Sequence, residues 1–78
     1  MKKLIVIQCL GNKDRAVDDA RRKYARFGEV VDNVEAAMEA VSVSKKTLVV
    51  AVIGSGQIRG LDGYAAGFGW HVEKKAAA

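Results

Sequence analysis

Two runs of nearly unbroken apolar, largely β-branched residues stand out along the chain, Lys3 to Leu10 (KLIVIQCL) and Thr47 to Ile53 (TLVVAVI). A strand with one wet face alternates apolar and polar positions, so runs that are apolar on both faces predict strands near the centre of a sheet, covered on both sides. Between them the period lengthens to that of a helix. Gly11-Asn12 breaks the first run, Asn12 is a good N-cap, and Val17, Ala20, Tyr24 and Phe27 recur at i, i+3, i+7 and i+10. This predicts a helix from Lys13 to Phe27, supported by Asp18 with Arg22 and Asp19 with Lys23 at i, i+4, and closed by Gly28 as a left-handed C′ residue. A second helix is expected after Val31: Asp32 and Glu35 have the spacing of a capping box, and Val34, Ala37, Met38 and Val41 share one face up to Ser42–Ser44. Strands joined through helices are most simply parallel neighbours.

The last third carries two patterns at once. Leu61, Tyr64, Ala65, Phe68 and Val72 make a helical stripe, with Gly63 and Gly67 inside it at about 1 kcal/mol each. Tyr64, Ala66, Phe68, Trp70 and Val72 equally alternate as a strand, and Asp62-Gly63 after Ile58–Leu61 is a strong two-residue hairpin turn. Local rules lean towards the hairpin.

The order of strand, helix ending in Phe27-Gly28-Glu29-Val30-Val31, capped helix, apolar strand and glycine loop, then Gly63-Tyr64-Ala65, Gly69 and Val72, resembles nucleoside 2-deoxyribosyltransferase-like proteins. The resemblance implies a Rossmann-like sheet, a short strand at Val30-Val31, a helix for the C-terminal segment, and a nucleoside in the loops at the carboxyl ends of the strands. The catalytic glutamate of that family would fall two places before Gly63, where this chain has Leu61, with Asp62 one place off. Nucleoside hydrolase or transferase activity is therefore not expected.

Seventy-eight residues make one domain with a modest core, and 50% apolar with 28% charged residues is the balance of a folded chain. The fold expected is a small single α/β domain over residues 1–75, a β-α-(β)-α-β core with parallel central strands. It ends in either a helix plus a short strand or an antiparallel hairpin, and residues 76–78 read as a frayed or appended tail. Cys9 is the only cysteine and lies inside the first apolar run, which predicts a buried thiol in a reducing compartment. Met1-Lys2-Lys3 ahead of Leu4–Ile7 is too short for a secretory h-region of roughly 7 to 15 residues, and no run reaches the roughly 18 needed to span a bilayer. The chain thus reads as cytoplasmic, with no membrane partner.

Charge is divided unevenly beneath the net +4. Residues 1–28 carry eight basic and three acidic groups, and residues 29–44 carry four acidic and none basic. Arg15, Arg22 and Arg26 fall within a narrow arc opposite Val17 and Tyr24, a basic stripe suited to an anionic partner. Stacking aromatics are not interleaved with it, and no helix-turn-helix or RNA-recognition signature is present, which favours protein over nucleic acid. Tyr64, Phe68, Trp70 and His71, set among glycines, form a second candidate partner surface. Gly54-Ser55-Gly56-Gln57 after the second apolar run, with Asn12 and Asp62, is the candidate ligand loop, although it lacks dinucleotide-fingerprint spacing and a P-loop lysine. No metal-ligand cluster, carboxylate pair or nucleophile elbow is apparent, so neither a cofactor nor a catalytic residue is expected. These features point to a non-enzymatic interaction protein, an inhibitor or adaptor of the kind mobile elements encode, binding a protein or nucleoprotein. The alternative is a nucleotide-binding or nucleoside-processing protein using residues 54–60.

Overall fold

A computed structural model describes residues 2–44, 46–54 and 60–77. Among them the chain forms β1 (Lys3–Cys9), α1 (Lys13–Tyr24), β2 (Glu29–Val31), α2 (Val34–Val43), β3 (Leu48–Gly54), α3 (Leu61–Gly67) and β4 (His71–Ala77). The four strands make one all-parallel sheet in the order β2-β3-β1-β4. The two apolar runs are the two inner strands, paired from Lys3 opposite Leu48 to Cys9 opposite Gly54. The α/β fold with parallel central strands is as the sequence predicts.

Successive side chains of a strand point to opposite faces, and this splits the core in two. Leu4, Val6, Val49, Ala51 and Ile53 face Ala37, Ala40 and Val41 of α2, Leu61 and Ala65 of α3, and Trp70. Ile5, Cys9, Val50 and Val52 face Val17 and Ala20 of α1. The chain crosses the sheet one way from β1 to β2 and the other way from β2 to β3 and from β3 to β4. Connections of a single hand therefore put α1 on one face and α2 with α3 on the other, as found. The whole stretch Val49–Ile53 is sealed from solvent, as a strand covered on both faces must be, and Cys9 is a buried free thiol.

Several boundaries differ from expectation, each for a local reason. The α1 N-cap is Asn12, whose Oδ1 accepts from the Arg15 N–H at 3.2 Å. The helix stops at Tyr24 rather than Phe27, because the Tyr24 carbonyl accepts from both the Phe27 and Gly28 N–H groups and Phe27 turns out to solvent. Gly28 is not in the left-handed region; among the described glycines only Gly60 and Gly69 are. Its lack of a side chain is needed for a different reason, the close approach of Leu48. The α2 N-cap is Asn33, not Asp32: Asn33 Oδ1 accepts from the Ala36 N–H at 2.7 Å, while Asp32 accepts from the Asn33 side chain.

The C-terminal segment is a helix followed by a strand, which overturns the hairpin. Asp62-Gly63 lies in the first turn of α3, and Gly69, at φ +82°, turns the chain out of the helix. The hairpin lost because β4 pairs in parallel with β1 from Lys3 opposite His71 to Cys9 opposite Ala77, while Leu61 and Ala65 bury fully beneath α3. Long-range pairing and burial outweigh the roughly 1 kcal/mol that each helical glycine costs. Ala76 and Ala77 extend this strand, where the sequence suggested a tail. No described helix is long and apolar enough to cross a membrane.

Candidate functional site

On the face carrying α2 and α3, Val72 packs into the core and Lys74 pairs with Asp62 of α3. On the opposite face α1 packs mainly over β2 and β3 and meets β4 at Tyr24 and Lys75. The register puts Glu73 and Lys75 of β4 on that face, beside Ile5 and Ile7 of β1. Between α1 and this edge lies a groove of about 640 Å³. Its floor is Ile7, Cys9, Lys75 and Ala76, and its wall is the flank of α1 that presents Arg15, Ala16, Asp19, Lys23 and Tyr24.

The groove is electropositive, with Arg15, Lys23 and Lys75 set against Asp19. Tyr24 gathers two of these cations. Its hydroxyl, together with the Glu73 carboxylate, favours the charged form of Lys75 and raises that ammonium above its usual range, and the Lys23 ammonium sits 5.2 Å from the centre of its ring. Glu73 is held below the usual carboxylate range by hydrogen bonding to Lys3. The same carboxylate pairs with Lys75 at 3.5 Å, so it offsets part of the Lys75 charge and leaves Arg15 and Lys23 as the groove's less compensated cations.

The predicted basic stripe meets this groove at one end. At 100° per residue, Arg22 projects about 20° from Arg15 and lies two turns along the outer lip, whereas Lys23 turns about 80° from Arg15 towards the sheet. Arg26 lies beyond the end of α1 and is exposed. Sequence reasoning missed Lys75 as a site residue, and it read Tyr24 only as core; both signals depend on β4 landing beside β1.

The second predicted surface comes apart. Trp70 is buried, and its indole N–H donates to the Val41 carbonyl at 3.1 Å, so it is a core residue and not a partner anchor. Tyr64 and Phe68 stack on the exposed side of α3, ring centres 5.0 Å apart, while His71 starts β4 in solvent. The register puts His71 on the α1 face, opposite α3, so these side chains do not share one surface.

Of the predicted ligand loop, Ser55, Gly56 and Gln57 lie outside the described residues. Gly54 ends β3 beside Cys9, and Asn12 spends its side chain on capping α1. β1 and β3 are neighbours whose connections leave to opposite faces, the switch point at which open α/β sheets bind ligands. Asp62 is paired with Lys74, and Leu61 is fully buried. Among the described residues no group of three or more His, Cys, Asp or Glu could hold a metal ion.

Hydrogen bonding from Lys74 holds the Asp62 carboxylate below its ordinary 3.8. A depressed carboxylate stabilises the fold above the unfolded pKa, and that contribution disappears as pH falls through the folded value. The two side chains are 40% and 54% exposed, so screening keeps the effect below about 1 kcal/mol. Asp62→Asn is expected to cost less than that at pH 7 and to flatten the stability profile below about pH 4, as followed by urea titrations at stepped pH.

Comparison with protein-family models, with curated proteins and with solved structures finds no match. The site therefore rests on the chain's own geometry.

Proposed function

We propose that this is a non-enzymatic interaction protein of the cytoplasm, an inhibitor or adaptor that takes an anionic macromolecular partner along the basic side of α1. The observation that supports this reading is the partly open sheet face beside α1, whose groove carries Arg15, Lys23 and Lys75. A parallel sheet normally has both faces covered, and a face left partly open at Ile7 beside basic side chains favours an oppositely charged partner. The chemistry-bearing residues fit an enzyme poorly: Leu61 is buried where a carboxylate would be required, and His71 stands exposed on a strand end.

The test is charge reversal on exposed positions. With a partner captured on the immobilised protein and then purified, Arg15→Glu/Arg22→Glu/Arg26→Glu should keep the wild-type circular dichroism spectrum and weaken binding at least tenfold at low salt, with a flatter dependence on ionic strength. Equal affinity of variant and wild type at low and high salt would contradict the reading.

A second reading is favoured by the switch point between β1 and β3: a nucleotide or nucleoside held near Asn12 and Gly54, in a relative of the deoxyribosyltransferase-like proteins. It predicts a rise in Tm with added nucleotide, which the first reading does not.

A further inference from the structure

The shape of the groove says more about its occupant than its charge does. It follows α1 from Asn12 to Tyr24, a distance of about 18 Å at 1.5 Å per residue, which is the length of a three-turn helix. On that wall Ala16 is half-buried and small, a point at which a second helix can approach α1 to the usual 8–10 Å. The floor offers the half-buried Ile7 to an apolar stripe, while Arg15, Lys23 and Lys75 stand where the polar flanks of that helix would lie.

We propose that the groove between α1 and β4 is the docking site for an acidic amphipathic helix of a partner protein, laid beside α1 over β1 and β4. The proposal rests on the reading of α1's basic side as the interaction surface and specifies what binds there. Charge complementarity selects an acidic helix over a basic one, since Arg15 and Lys23 outnumber Asp19, and the Glu73 carboxylate is shared between Lys3 and Lys75. The apolar floor disfavours nucleic acid: the one aromatic ring in the groove, Tyr24, is half-buried and covered by Lys23, leaving no platform for a base. Strand addition along β4 is opposed by Lys74 and Lys75, charges of the kind that protect sheet edges.

The experiment uses the whole chain, isotope-labelled, and a synthetic 18-residue helix with Leu at i, i+3, i+4 and i+7 spacing and Glu elsewhere; its controls are the same peptide with Lys for Glu and a single-stranded oligonucleotide. The acidic peptide should shift the amides of residues 7–9, 15–24 and 73–76 saturably, and the lysine peptide should not. Lys23→Glu/Lys75→Glu, both at exposed positions, should weaken binding at least tenfold, and Lys75→Ala about threefold, with amide dispersion retained. Shifts confined to Arg22 and Arg26 or to Tyr64 and Phe68 would overturn the proposal, as would no saturation at millimolar peptide. Occupation of the groove by the oligonucleotide in place of the peptide, or the same shifts on concentrating the protein alone, would also overturn it. If the peptide fails while the Arg15/Arg22/Arg26 variant still loses its captured partner, the docking helix is wrong and the basic face remains; if both fail, the functional reading falls too.

Discussion

Trp70→Ala is expected to remove about a third or more of the folding stability. Trp70 is 4% exposed and closes the core between α2 and the sheet, with its indole N–H on the Val41 carbonyl and the Lys2 ammonium 5.5 Å from the centre of its ring. Truncating a buried tryptophan costs about 3–5 kcal/mol, and a chain of this size has only about 4–12 kcal/mol in total. Trp70→Phe retains most of the packing but leaves the Val41 carbonyl without its donor, at about 1–3 kcal/mol. Urea denaturation followed by circular dichroism measures both. A loss below about 1 kcal/mol for the alanine variant would show that Trp70 is not the core residue described here.

The second large effect is expected at Gly28, where alanine should cost about 1–3 kcal/mol and valine more. A Cβ there would lie 2.7 Å from the Leu48 carbonyl oxygen and 2.9 Å from Leu48 Cγ. The carbonyl belongs to the backbone at the start of β3, so relief requires β2 and β3 to separate. The same substitution elsewhere gives a control of opposite sign: Gly63 lies within α3 with nothing within 4 Å of an added Cβ. Gly63→Ala should therefore stabilise by roughly 0.5–1 kcal/mol. Urea midpoints of the two variants that moved in the same direction would contradict the account of why Gly28 is glycine.

Trp70 and Gly28 also show where sequence and structure part. The inner strands were legible because each is apolar on both faces, a pattern few other environments produce. α1 was legible because its cap, charge pairs and apolar face agree, and α2 because its apolar spacing does, although Asn33 took the capping role from its neighbour Asp32. The C-terminal third was not legible, since its residues satisfy two periods, local rules lean towards the hairpin, and the decision is made 68 residues away, where His71 pairs opposite Lys3 at the free edge of β1. The groove shares that fate. Arg15 could be placed on an exposed flank from helix geometry alone, but Lys75 joins it only once β4 has paired with β1, and no local rule specifies that pairing. A lone tryptophan reads more often as core than as anchor, and for Trp70 the acceptor that decides it, the Val41 carbonyl, lies 29 residues earlier.

The central claim is that the partner is held on the α1 side of the sheet, against the edge strand β4. Hydrogen–deuterium exchange on the protein bound to its captured partner tests it most directly, because the candidate surfaces lie on separate peptides. The account predicts slowed exchange across residues 13–24 and 71–77, with residues 60–68 unchanged. Protection confined to 60–68, around Tyr64 and Phe68, with 13–24 exchanging as in the free protein, would contradict it.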